Sequence, residues 1–140
     1  MKIAVIDGQG GGVGKAIVQA LKPHLAEIDE LLALGTNATA TVTMLKSGAS
    51  IGATGENAII YNAPRVDIIA GPIGIIIANA LYGEISPKIA SAVAESSATK
   101  VLIPIDRCRL IIPGASSRTL QTNIKDAVEQ IITLMSEDPS

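Results

Sequence analysis

The sequence predicts an α/β fold: three layers, α/β/α, built on a doubly wound, mostly parallel sheet with an antiparallel C-terminal edge. Three observations predict it. Short apolar runs alternate along the chain with amphipathic stretches at helical period. A glycine-dense turn, Asp7-Gly8-Gln9-Gly10-Gly11-Gly12-Val13-Gly14-Lys15, joins the first such run to the first amphipathic stretch. Glycines then recur just past the second and third apolar runs, at Gly35 and Gly71. The chain has 140 residues, enough for one domain over 1–140, and shows no internal repeat, low-complexity segment or linker.

In chain order, Ile3-Ala4-Val5-Ile6 reads as a buried strand, and the helix after the glycine turn puts Ile17, Val18, Leu21 and Leu25 on one face. Glu30 to Leu34 is the second strand. Thr36 or Asn37 then caps a helix with Ala38, Val42 and Leu45 at helical spacing, ending at Ser47-Gly48. Ser50 to Gly55 reads as a glycine-punctuated link to a short helix, Glu56 to Asn62, stopped by Pro64. Val66 to Ala70 is the third strand, Gly71-Pro72 a turn, and Ile73 to Leu81 a buried helix. Ser86-Pro87 is a helix start, a capping hydroxyl followed by proline at the first helical position, with Ile89, Val93 and Ala94 inward. Lys100 to Ile105 and Arg109 to Ile112 are the last strands. The three residues between them are far fewer than the dozen or so of a parallel crossover, so the last strand is expected antiparallel, at an edge. A final helix from about Ser117 carries Leu120, Ile124, Val128, Ile131 and Met135, followed by a frayed tail from Ser136.

Composition limits the function. The chain is 48% hydrophobic and 17% charged, with Tyr61 and Tyr82 its only aromatics, so the core is aliphatic. The formal net charge of −2 and the lack of a basic stripe argue against nucleic acid. High apolar content with few charges has two readings: a sheet covered on both faces, or apolar surface covered by another copy, and a homo-oligomer is the expectation. Cys108 is the only cysteine, which fits a cytoplasmic protein without internal disulfides. The apolar run after Lys2 is too short for a signal peptide, and Ile68 to Tyr82, broken by Gly71-Pro72 and Gly74, falls short of the roughly 20 residues of a membrane span. No histidine–cysteine cluster has metal-ligand spacing, so no metal is expected.

In parallel α/β sheets the ligand crevice lies at the strand C-termini, where the strand order reverses. Three stretches converge there, each just past a strand. The candidate residues are Gly8, Gln9, Gly10, Gly11, Gly12, Val13, Gly14 and Lys15, then Thr36 and Asn37, then Gly71 and Pro72. Glycines let the backbone approach an anion, and the N–H groups at a helix start, with the helix dipole behind them, attract it. The ligand class is a phosphate-bearing small molecule. Gly12 and Gly14 are expected at positions too crowded for a side chain once an anion is bound.

The spacing Gly8-x-x-x-Gly12-x-Gly14 resembles the loop of short-chain dehydrogenases, which implies NAD or NADP as cofactor. A dinucleotide loop is usually followed, about 20 residues on, by an acid that holds the ribose hydroxyls. Here the second strand ends in Gly35-Thr36-Asn37, whose hydroxyl and amide suit a 2′-phosphate or another sugar, or simply cap a helix. The Tyr-x-x-x-Lys of those enzymes is missing, since Arg65 and Ser86 stand four residues beyond the two tyrosines. Gly11-Gly12-Val13-Gly14-Lys15 is also similar to the loop of the deviant Walker ATPases. Against that reading, Ala16 replaces the magnesium-binding hydroxyl, Gly10 replaces the extra lysine, and a proline interrupts the only Walker B candidate, Leu102 to Asp106.

The segments DGQGGGVGK, ALGTNATAT, GATGENAI, DIIAGPIGI, GEISPKIA and LIPIDRC together resemble, nearly end to end, a small bacterial family of about this length known only as a domain of unknown function. The resemblance implies a Rossmann-like fold in a bacterial cytoplasm and assigns no catalytic residue.

Other residues have two readings each. Asp7 either bonds the loop amides, with Lys15 balancing its charge, or faces a cation or substrate hydroxyl. Glu56 complements a helix dipole, and reaches the crevice only if Ser50 to Gly55 climbs back to it or a neighbouring subunit supplies it. Glu84 is a loop residue or lies at the crevice mouth, His24 is solvated, and Cys108, between two arginines, is inert or reactive. Three function classes remain: a nucleotide-binding module without catalytic machinery, a small NAD(P)-dependent oxidoreductase with a site completed by oligomerisation, and a P-loop-like nucleotide hydrolase. The first is favoured.

Overall fold

A computed structural model of the chain describes residues 1–105, 110–115 and 117–137. Among them, five strands form one sheet: β1 (Lys2–Asp7), β2 (Glu30–Gly35), β3 (Ile51–Thr54), β4 (Ile68–Pro72) and β5 (Thr99–Ile103). The α-helices are α1 (Gly12–Leu21), α2 (Ala38–Lys46), α3 (Glu56–Asn62), α4 (Pro87–Glu95) and α5 (Leu120–Ser136). The strand order is β3-β2-β1-β4-β5, and every neighbouring pair is parallel. The chain steps from β1 outward through β2 to β3, then crosses to β4 on the other side of β1. That is the order of a doubly wound sheet, with its switch point between β1 and β4. Ile3, Ala4 and Val5 pair there with Ile68, Ile69 and Ala70.

The period-2 alternation of each strand divides the core into two layers. Ile3 and Val5 face α1, α2 and α5, through Ile17, Val18, Met44, Val128 and Ile131. Ala4, Ile6 and Leu34 face α3 and α4, through Ile59, Ile89 and Val93. A parallel sheet covered on both faces needs apolar residues at every position of its central strands, which is why these runs do not alternate with polar residues. No helix among the described residues is long and apolar enough to cross a membrane.

Several expectations are corrected. Ser50 to Gly55 is not a link: Ile51–Thr54 is the edge strand β3, which pairs with β2 from Leu32↔Ile51 to Gly35↔Thr54. An edge strand needs little apolar burial, and at Gly52 the missing side chain makes room for Leu45, so apolar patterning did not signal it. In α2 the buried residues are Ala40, Thr41 and Met44, while Val42 and Leu45 are 45% and 37% exposed. The helix turns its small face inward because Thr41 lies hard against Gly35 and Met44 against Gly14. Gly71 and Pro72 belong to β4 rather than to a turn. Ile73 to Leu81 forms one short 3-10 helix, Ile73–Ile76, and then turns, because Asn79, Leu81 and Tyr82 take left-handed φ of 69°, 56° and 56° that no right-handed helix accepts. In α4, Ala90 is buried where Ala94 was expected. The antiparallel C-terminal edge is not seen among the described residues. β5 pairs parallel with β4, and residues 110–112, just ahead of Pro113, form no strand. Arg109 and the three residues Asp106-Arg107-Cys108 lie outside the described residues, as does the tail from 138, while α5 itself runs through Ser136.

Glycine sets how closely the layers meet at the switch point. A Cβ at Gly71 would collide with the carbonyl oxygen of Ile6 on β1, whereas one at Gly14 would meet chiefly the Met44 sulfur at 2.5 Å. Backbone cannot move aside without breaking the ladder, but a methionine can rotate. Gly71→Ala should therefore cost about 3 kcal/mol in urea denaturation, and Gly14→Ala clearly less, helped by alanine's helix preference. Equal losses would show that strand spacing is not what Gly71 protects.

Candidate functional site

β1 delivers Asp7 to the switch point, where it is only 4% exposed. Its two carboxylate oxygens accept the backbone N–H of Gly8 at 2.8 Å and of Gly14 at 2.7 Å. One side chain thus fastens both ends of the loop between β1 and α1. Burial pushes the Asp7 carboxyl above the ordinary range. The N–H bonds from the loop oppose that push, and the negative charge of Glu84 adds to it. Lys15 is exposed, one turn into α1, and makes no ion pair with Asp7 among the described residues.

Within the loop, Gly11 takes φ 74° and its N–H reaches the Gly8 carbonyl at 2.9 Å, while the Ala40 backbone would crowd a Cβ at 3.0 Å. Gly8 is equally enclosed, by Thr36, Leu81 and Glu84. The expectation for Gly12 and Gly14 divides. Gly14 is crowded, but by Met44 and Asp7 rather than by space for an anion, whereas positions Gly10 and Gly12 have no atom within 4 Å of a Cβ. Among the described residues the N–H groups of Gly10 and Gly12 have no acceptor. α1 begins at Gly12 with no side-chain cap and no acid in its first turn. Two uncommitted donors thus stand at the positive end of a helix dipole, before open space.

That space is a pocket of about 300 Å³. Its floor is Asp7 to Val13 with Pro72 and Gly74, and its apolar wall is Leu81, Ile105 and Leu120. Gly8, Gln9, Gly10, Gly11, Gly12, Val13 and Pro72 therefore share one cavity. Gly71 sits beneath it as a strand spacer, and Thr36, Asn37, Gly14 and Lys15 lie outside its lining. Among the described residues no cluster of histidine, cysteine, aspartate or glutamate could hold a metal. His24 is exposed, and Cys108 lies outside the described residues.

Thr36 and Asn37 have another task. The Asn37 side chain caps α2 by accepting the Ala40 N–H at 2.9 Å. Its Nδ2 donates to the Gln9 carbonyl at 3.0 Å and to Glu84 Oε1 at 2.8 Å. The Thr36 hydroxyl donates to the same Glu84 oxygen at 2.6 Å, and the Gln9 N–H at 3.0 Å. Burial alone would raise the Glu84 carboxyl, but the bonds from Thr36, Gln9 and Asn37 outweigh it and hold the group below its ordinary value of 4.5. The left-handed residues Asn79, Leu81 and Tyr82, followed by Gly83 at φ 87°, fold the chain back over the loop, and fully buried Ile85 anchors it. Glu84 is the residue that sequence reasoning left undecided. The available signal was a second strand ending in hydrogen-bond donors without an acid. Glu56 also lies on this side of the sheet, because β3 returns the chain there, and it accepts a bond from Ser86 Oγ, the cap of α4.

The chain belongs to the family described as Domain of unknown function (DUF3842), which it matches over residues 2–136. It matches no curated protein. Among solved structures it is similar to a dodecameric FMN-dependent UbiX-like decarboxylase from Escherichia coli O157:H7, at 20% identity and a TM-score of 0.46, over 94% of this chain and 76% of that one.

The two carboxylates can be tested by titration. In Glu84→Gln the like charge beside Asp7 is gone, so the Asp7 carboxyl carbon should titrate at lower pH by NMR than in the wild type; an unchanged Asp7 would mean that the groups do not sense each other. The sign for stability follows from the lowered Glu84 value. Its contribution is present above the ordinary 4.5 and is lost as the pH falls through the folded-state value. The difference in Tm between wild type and Glu84→Gln should therefore shrink on acidification.

Proposed function

We propose that this chain, as a single Rossmann-like domain over 1–140, binds a nucleotide or dinucleotide through its phosphate at the glycine loop. One observation carries the reading. The N–H groups of Gly10 and Gly12 are uncommitted among the described residues, their Cβ positions are empty, and they open on a pocket at the switch point of a doubly wound sheet. The chemistry of these donors fits a phosphate. Asp7 is turned into the loop amides, so its charge is partly spent on them rather than aimed at the ligand. An NAD(P)-dependent oxidoreductase would use the same cradle, but among the described residues that line the pocket the only titratable side chain is Asp7, which the loop amides hold. A P-loop hydrolase fits less well, since Lys15 is exposed one turn inside α1 and Ala16 offers no magnesium ligand.

The test is calorimetry with NAD, NADP, ATP, GTP and FMN. At least one should bind. Gly12→Val, which sets a branched side chain in the empty space, should weaken that binding by about a hundredfold or more while leaving the melting curve intact. Lys15→Ala should change it by no more than about threefold, since the backbone holds the phosphate. If the wild type binds none of the five, and crystals grown in phosphate show no anion at Gly10 to Gly12, the loop is only a tight turn.

We also propose a homo-oligomer. The support is the edge strand β3, with Ile51 45% exposed, beside the exposed Val42 and Leu45 of α2. Light scattering at micromolar concentration should give at least twice the mass of one chain; a monomer mass counts against it.

A further inference from the structure

An acid at the end of the second strand is the usual acceptor for ribose hydroxyls in this topology, and β2 ends without one. On sequence alone, Thr36 and Asn37 were therefore open to a 2′-phosphate. In the structure a carboxylate stands at that place. Asp7 and Gly35 are register partners at the ends of β1 and β2, and the Thr36 N–H bonds the Asp7 carbonyl at 3.0 Å. Directly over this junction, Glu84 Oε1 gathers the Thr36 hydroxyl, the Asn37 amide and the Gln9 N–H. All three donors that could have bound a 2′-phosphate are already engaged by an anion of the protein's own. Among the described residues Glu84 Oε2 has no hydrogen bond, and no lysine or arginine pairs with the carboxylate. It is half-buried beside the loop that forms the phosphate cradle.

We propose that Glu84 supplies the carboxylate that β2 lacks, so that the nucleotide taken at the glycine loop is one whose ribose 2′-hydroxyl is free rather than phosphorylated. This rests on the nucleotide reading above. The fixed oxygen, Oε1, locks the side chain through three donors. The other, Oε2, has no partner among the described residues and is left to accept from a ribose hydroxyl of a nucleotide that extends past the pocket lining toward Glu84. A 2′-phosphate at the same place would meet a negative charge with no cationic partner among the described residues and find its donors taken. Glu84 is thus a specificity-determining residue, brought to the β2 terminus from 48 residues beyond Thr36.

The experiment compares NAD with NADP, which differ only in the 2′-phosphate, on the wild type and on Glu84→Gln, with Glu84→Ala as a second variant and a melting curve for each. The wild type should favour NAD by about tenfold or more, the scale of one charge-assisted hydrogen bond. Glu84→Gln keeps an oxygen for the Gln9 N–H but removes the charge. It should weaken NAD, leave NADP unchanged or improved, and bring the two within about threefold. A merely structural Glu84 would lower both affinities alike, and that result overturns the inference. So does a wild type that binds NADP as well as NAD, or one that binds only FMN, and in both cases the phosphate cradle stands. A wild type that binds no nucleotide at all overturns both readings.

Discussion

Everything at the C-terminal edge of the sheet depends on one buried carboxylate. Asp7 bonds the N–H of Gly8 as β1 ends and the N–H of Gly14 inside the first turn of α1. With both ends of the loop fixed to one side chain, the intervening backbone has little freedom. Its remaining donors, on Gly10 and Gly12, are directed outward by default. The cost is a charge kept out of water, and the raised Asp7 carboxyl reflects it. Helix α1 therefore docks at a set height over the sheet. The pocket beyond it owes its shape to that docking more than to any residue that lines it.

Close approach is the second constraint, and it is spread over glycines that differ in purpose. Gly14 lets α1 descend onto Met44, Gly35 lets α2 descend with Thr41 against β2, and Gly71 lets β4 lie against the Ile6 carbonyl. These spacers bring three strand ends and two helix starts within reach of one ligand-sized volume. Gly10 and Gly12 are of another kind, with nothing around them. A glycine-rich motif read as a string treats all of these alike, and only the surroundings of each separate packing from binding.

Much of the architecture could be read from the chain. The apolar runs at Ile3 and Leu31, the Ser86-Pro87 cap and the amphipathic stripe of α5 each carry a local signal strong enough to place an element. What was hidden depends on distant partners. β3 has no apolar run because an edge strand does not need one. The inward face of α2 is chosen by Gly35 and Gly14 rather than by its own largest residues, so Val42 and Leu45 misled. The Ile73 to Leu81 stretch is hydrophobic enough for a helix, but it must turn back to deliver Glu84, and left-handed residues at 79, 81 and 82 do so. At the site, the glycine loop and the convergence of three strand ends were legible. Glu84 was not, because its meaning comes from contacts with Gln9, Thr36 and Asn37.

The long reach of Glu84 bears on the order in which the molecule is made. Gln9 leaves the ribosome 75 residues ahead of its partner. By the time Thr54 emerges, β1, β2, β3 and the two helices between them have all been synthesised. The loop and its anchoring aspartate can therefore assemble on the nascent chain, whereas β4 and the turn that carries the second carboxylate arrive later and must close a long loop in sequence. For that interval the Thr36 hydroxyl, one Asn37 amide hydrogen and the Gln9 N–H have water in place of Glu84. A nascent chain with its first three strands in place would turn to solvent the donors that Glu84 takes up in the finished one.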